Sequence, residues 1–248
     1  METNKVNILD VCVDKITLSQ ALSEIENAIV NPRQKPFVVF TPNSEIIMNA
    51  QSDSSLMDAL HNADMLIPDG IGVVKAAKIL GDEIPQRVAG YDLTMALLKE
   101  GNEKPYSFFI FGGKPGVAQT AKDNLHKSYP DINIAGLRNG YFSEDENDDI
   151  INEINLSGSD VLLVALGAPK QEKWITDNID KLKVKVCIGI GGSVDVIAGV
   201  TNRAPDIFIK LNLEWLYRIA KQPSRWGRAL ALPKFALTVL FKGKRVKK

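Results

Sequence analysis

Between residues 37 and 190 short apolar runs, most of them ended by an abrupt turn with glycine or proline, alternate with stretches of helical period. The apolar runs fall at 37–40, 65–67, 106–111, 132–137, 160–165 and 184–190. Strands that alternate with helices at a spacing of roughly 25 residues build an α/β fold around a mainly parallel sheet. The expectation is a Rossmann-like sheet flanked by helices. In such a sheet ligands bind outside the carboxyl ends of the strands. Polar groups in the turns that end the runs are therefore the first candidates for a site.

Two neighbouring turns stand out. Thr41-Pro42-Asn43 closes the run at 37–40, and Pro68-Asp69-Gly70 closes the run at 65–67. If those strands are adjacent, Thr41, Asn43 and Asp69 share one crevice. Asp69 reads in two ways. It is either a cap or turn residue at the start of a helix near 71–80, or a general base within reach of an acceptor hydroxyl. Thr41 and Asn43 suit sugar hydroxyls, although Asn after Pro is equally a turn residue. Gln171 and Asp195 sit at two further strand ends and are open to the same pair of readings.

Three glycine turns, FGGKPG with Gly112 and Gly113, LGAPKQ, and GGSVDVIAG, each follow a strand and open a helix. Glycine lets a backbone approach a phosphate, and a helix N-terminus offers N–H donors; each turn is also explicable as a tight βα connection. None has the dinucleotide fingerprint after the first strand, which disfavours a nicotinamide dehydrogenase, and none is a Walker A loop. Three such turns on one sheet edge point to a nucleotide-diphosphate site.

Elsewhere, residues 6–13 predict a first strand and 17–30 a helix capped by Thr17 or Asp14. Ser44 is the expected cap of a helix over 45–51, with another helix at 54–62. No D-x-D occurs, and the two histidines, His61 and His126, fall on helices, so no metal ligands are visible and no metal or other cofactor is expected. The two cysteines, Cys12 and Cys187, form no C-x-x-C, which fits a reducing cytosol. There is no signal-peptide pattern and no apolar run long enough to span a bilayer.

The composition changes near Val200, which divides an α/β body (1–200) from a helical appendage (201–248). From Arg203 onward there are 12 Lys and Arg against two acids, Asp206 and Glu214, whereas the residues before it carry 18 against 28. Arg218, Lys221, Arg225 and Arg228 would line one helical face, with a break at Pro223. Phe208, Leu211, Trp215, Leu216 and Ile219 form an apolar stripe; Trp226, Leu230, Leu232, Phe235 and Leu240 continue it and KGKRVKK ends it. A basic helix with this apolar side suits an anionic membrane surface, or else a solvated helix packed on the body. Guanidinium forks equally suit a diphosphate. The acidic body argues against nucleic acid.

Taken together, FTPNSEIIMNA (40–50), NADMLIPDGIGVV (62–74), RVAGYDL (87–93), FIFGGKPGVA (109–118), VALGAPKQEKW (164–174), GIGGSVDVIAG (189–199) and NRAPDIFIKLNLEWLYRIAKQPSRWGR (202–228) resemble the WecG/TagA/CpsF glycosyltransferases, glycosyltransferase family 26, over nearly the whole chain. Within that family the chain is similar to the TagA/TarA branch. The resemblance implies inverting transfer of N-acetylmannosamine from UDP-N-acetylmannosamine to the 4-hydroxyl of undecaprenyl-diphosphate-linked N-acetylglucosamine, in wall teichoic acid linkage-unit synthesis. It implies Asp69 as the base with Thr41 beside it, and Asn43, Arg87 and Gln171 around sugar and diphosphate. The appendage is implied to dock on the inner face of the cell membrane and close the site with Arg218, Arg225 and Arg228. Alternatives that stay open are another donor (UDP-glucose or a UDP-mannosaminuronate) and a non-catalytic UDP-sugar-binding membrane adaptor. A homo-oligomer is among the expectations.

Overall fold

The computed structural model describes residues 4–221 and 231–242. The chain opens on a hairpin, β1 (Lys5–Ile8) and β2 (Val11–Asp14), and not on the single strand predicted for residues 6–13. Leu9 and Asp10 turn the chain with φ of 52° and 67°, and the Asp10 N–H donates to Asn7 Oδ1 at 2.9 Å. A polar Asx-type contact and two left-handed residues inside an apolar run are what the run itself conceals.

Helix α1 (Leu18–Val30) follows, capped by Thr17 in a reciprocal capping box with Gln20. Strand β3 (Phe37–Phe40) leads to α2 (Ser44–Ala50) and α3 (Ser54–Asn62); β4 (Met65–Leu66) leads to α4 (Ile71–Ile79) and then α5 (Gly90–Glu103). Three further βα units follow: β5 (Ser107–Gly112) with α6 (Val117–Ser128), β6 (Asn133–Arg138) with α7 (Asn147–Leu156), and β7 (Val161–Ala165) with α8 (Lys170–Asn178). The last strand, β8 (Val186–Gly189), leads to α9 (Ser193–Ile197). Beyond Val200 lie α10 (Asp206–Lys210), α11 (Glu214–Lys221) and a last helix, Ala231–Lys242.

The cap of α2 is Asn43 and not Ser44: Asn43 Oδ1 accepts from the N–H groups of Glu45 and Ile46 at 2.9 and 3.1 Å. An Asn side chain reaches the N2 and N3 amides as well as a serine does, and here it stands one residue earlier.

The six strands β3 to β8 form one all-parallel, Rossmann-like sheet in the spatial order β4-β3-β8-β7-β5-β6. Side chains alternate across it. Val38, Phe40, Phe109, Phe111, Leu162 and Val164 pack toward the hairpin, α2, α3, α4, α7, α8 and the last helix. Val39, Phe108, Ile110, Leu163 and Ile188 pack on the opposite side against α1, α5, α6 and α9. Burying a Phe or Leu in such a core stabilises by about 1.5–3 kcal/mol each. The edge strand β4 is covered by the hairpin, where the buried Asp14 carboxylate accepts the Leu66 N–H at 2.8 Å; a capped edge resists pairing with another chain.

The helices after β3 and β8 leave on opposite faces, α2 on one and α9 on the other. Neighbouring strands whose helices part in this way open a crevice at their carboxyl ends. Among the described residues no helix is long and apolar enough to cross a membrane.

Candidate active site

The parallel pairing of β3 with β4, Val39 opposite Met65 and Phe40 opposite Leu66, puts the ends of both strands side by side. The Ile67 N–H donates to the Phe40 carbonyl at 2.8 Å, so the pairing continues up to the turn. Thr41, Asn43 and Asp69 are thereby brought to one end of the sheet, as their turns predicted. Gly70 adopts φ +85°, and a Cβ there would stand 3.8 Å from Asn43 Cβ, so the two turns are within contact distance. Gly70, not Asp69, is the N-cap residue of α4. The Asp69 N–H turns back onto the Ile67 carbonyl at 2.9 Å, which carries the residue past the strand end and out of the helix start.

Thr41 lies against α5: a Cβ on Gly90 would stand 3.0 Å from Thr41 Oγ1. Arg87 belongs to the same wall. Its neighbour Val88 donates an N–H to the Pro68 carbonyl at 3.1 Å, tying the 87–90 segment to the Asp69 turn. The guanidinium itself reaches the appendage: Nη2 is 2.9 Å from Glu214 Oε2 and Nη1 is 3.5 Å from Asn212 Oδ1.

On the far side of β3, Gln171 is 4% exposed. Its Oε1 accepts the Gly191 N–H and its Nε2 donates to Glu172 Oε1, both at 2.9 Å. Gln171 thus ties the start of α8 to the turn after β8 and forms the floor of the crevice. Asp195 sits in the first turn of α9, half-buried at the end of β8. Glu172 is buried, with Oε2 lacking a hydrogen-bond partner among the described residues, and burial pushes its carboxyl up against the smaller opposing effect of the Gln171 hydrogen bond.

The glycines after β5 are accounted for by packing. Gly112 has φ +135°, and a Cβ would lie 2.4 Å from the Ala165 carbonyl carbon; the Gly113 N–H donates to the Ala165 carbonyl at 3.1 Å. That N–H is committed to β7, so a phosphate at this turn would have to be met by other groups.

Arg218 falls in α11, but its side chain and that of Ile219 lie outside the described residues. So do Arg225 and Arg228, the expected break at Pro223, Trp226, Leu230 and the KGKRVKK end. The stripe expected on one helix is divided between α10 and α11, and Leu211, Trp215 and Leu216 stay exposed. No group of three His, Cys, Asp or Glu that could hold a metal ion occurs among the described residues. Sequence reading missed Glu214 and Glu172. Glu214 carried a signal: it is one of two acids in an otherwise basic segment. Glu172 carried none, since a glutamate in the first turn of a helix is ordinary.

A model of the glycosyl transferase WecG/TagA/CpsF family matches residues 6–248. The chain belongs to this family. Among curated members of related sequence are proteins named N-acetylglucosaminyldiphosphoundecaprenol N-acetyl-beta-D-mannosaminyltransferase. That of Bacillus spizizenii is 35% identical over 97% of this chain and 91% of its own length. That of Bacillus subtilis strain 168 is 39% identical over 82% and 78%, and that of Staphylococcus aureus strain MRSA252 is 34% identical over 99% and 96%. As a family member the chain is a glycosyltransferase whose candidate site lies at the carboxyl ends of β3, β4 and β8.

Proposed function

We propose that this glycosyltransferase moves N-acetylmannosamine from UDP-N-acetylmannosamine to the 4-hydroxyl of undecaprenyl-diphosphate-linked N-acetylglucosamine, with inversion, in teichoic acid linkage-unit synthesis. The observation that carries the reading is full-length similarity to relatives named for that transfer. The crevice supports it: one strand end supplies Asp69 and its neighbour supplies Thr41 and Asn43.

In this reading Asp69 takes the proton from the acceptor hydroxyl as that oxygen attacks the anomeric carbon. UDP leaves from the opposite side, and its growing charge is met by Arg87 and by the appendage arginines Arg218, Arg225 and Arg228. Asn43, Gln171 and Asp195 shape the sugar side of the crevice, and Gly112 and Gly113 the edge where the nucleotide lies. Protein cations take the part a metal ion would play on the diphosphate, in keeping with the missing D-x-D. The appendage rests on the inner face of an anionic membrane. Ile207, Leu211, Trp215, Leu216, Leu237 and Phe241 are exposed there, and exposed apolar side chains beside basic ones suit such an interface.

The deciding experiment offers purified protein UDP-N-acetylmannosamine, UDP-glucose and a UDP-mannosaminuronate with a short-chain lipid-diphosphate acceptor. Mass spectrometry should find product with the first donor. Product with another donor alone would refute the substrate, and donor binding without product would leave a binding protein.

A further inference from the structure

Among the described residues two ion pairs link the appendage to the body, and both land on one short stretch, residues 87–92. Arg203 pairs with Asp92 at 2.6 Å and lies over the Tyr91 ring at 4.6 Å. Farther along, Glu214 pairs with Arg87 at 2.9 Å; with side chains 14% and 11% exposed, this is the least exposed ion pair among the described residues.

Neither partner of the second pair arrives by chance. The chain enters α11 through Asn212 in the left-handed region, φ 59°, a conformation asparagine tolerates better than most residues. The Leu213 N–H closes that turn onto the Phe208 carbonyl at 2.7 Å, and the Phe208 and Tyr217 rings pack at 5.4 Å. Glu214 is therefore delivered by a folded turn. On the other side, Arg87 is anchored through the Val88 N–H on the Pro68 carbonyl. A continuous path runs from the turn carrying Asp69, through Pro68, Val88 and Arg87, to the first residue of α11.

A guanidinium has five N–H donors and no acceptor. A carboxylate on Nη2 fixes its plane and leaves other donors for a phosphate oxygen. We infer that Glu214 is a positioning residue for the transfer: its carboxylate orients Arg87 and, through the same contact, seats residues 206–221 against the crevice. The arginine that faces the diphosphate and the segment that closes over it are then set by one interaction. A buried pair of this kind leaves an uncompensated charge when one partner is removed, so loss of Glu214 both frees Arg87 and unseats α11. The part of this inference that concerns donor contact rests on the proposed reaction; the seating of α11 does not.

The test uses the full chain and amide hydrogen exchange over residues 206–221, with β5 as an internal control for the body. Glu214→Gln should speed exchange across 206–221 by about tenfold or more, leave β5 protected, and lower kcat/KM for UDP-N-acetylmannosamine. The reversed pair, Arg87→Glu with Glu214→Arg, should recover slow exchange over 206–221 while transfer stays low. Unchanged exchange in Glu214→Gln would overturn the inference, as would a folded reversed pair no better protected than the single variant. If the reversed pair fails to fold, the single variant alone decides. If the wild-type chain transfers no sugar, the proposed reaction fails while the exchange comparison still decides the seating.

Discussion

Thr41 and Gly90 touch across the mouth of the crevice, with Thr41 Oγ1 3.0 Å and Thr41 Cγ2 3.2 Å from where a Gly90 methyl group would sit. Gly90 is also the first residue of α5, where alanine has the better helix propensity. Gly90→Ala should therefore keep the fold and push Thr41 aside. The expected result is an unchanged circular dichroism spectrum with kcat/KM lowered by about tenfold, or ~1.4 kcal/mol in transition-state binding.

Asp69→Asn preserves shape at the end of β4 and removes the basic carboxylate. If Asp69 accepts the acceptor proton, kcat should fall by about 10²- to 10⁴-fold, while donor affinity measured by calorimetry stays near that of the wild type. Turnover close to wild type would rule out the assignment.

Asn43 carries two duties that one substitution separates. Its Oδ1 caps α2, so Asn43→Ala should lower stability by about 1 kcal/mol, read as a fall in Tm. Asn43→Ser retains a capping oxygen, and its Tm should stay close to wild type. A loss of transfer in the serine variant then reports on sugar contact by the amide.

Glu172 gives the chain a pH-dependent liability. Burial raises its folded pKa above the ordinary glutamate range. The folded state thus holds the proton more tightly than the unfolded chain, and this contribution is complete at low pH. It is lost as the pH rises through the raised folded value, because the unfolded chain has already ionised. Glu172→Gln removes that dependence. The fall in Tm as the pH is raised above the ordinary glutamate range should shrink relative to wild type.

If protein cations alone meet the diphosphate charge, as proposed, a chelator such as EDTA should leave the initial rate unchanged, and added magnesium or manganese should give no stimulation. A rate abolished by EDTA and restored by manganese would show that the diphosphate charge is not met by arginines alone.

The strand–helix alternation was legible because each strand is a dense apolar run bounded by turn residues, and all six strands expected between residues 37 and 190 occur. The N-terminal hairpin was not, since Leu9 and Asp10 adopt left-handed conformations that their residue types do not demand. Adjacency of the Thr41 and Asp69 turns was inferable only as a condition; it depends on strand order, which hydrophobic pattern leaves open. Glu214 was counted as a charge, but its partner lies at Arg87, and nothing local marks a contact across such a separation. The floor made by Gln171 was hidden for the same reason. Its amide is spent on Gly191, a residue of another βα unit.

The last helix, Ala231–Lys242, inserts Phe235 and Val239, each 1% exposed, into the same core as Ile46 and Ile47 of α2 and Val73 of α4. Those two helices begin at the two turns that form the crevice. During synthesis Ile46 and Val73 leave the ribosome well ahead of Phe235, so α2 and α4 carry an uncovered apolar seam until residues 231–242 arrive. The helices that carry the two crevice turns are thus braced from a distant stretch of the chain, and a nonsense mutation before residue 231 should leave that seam open and the body prone to proteolysis.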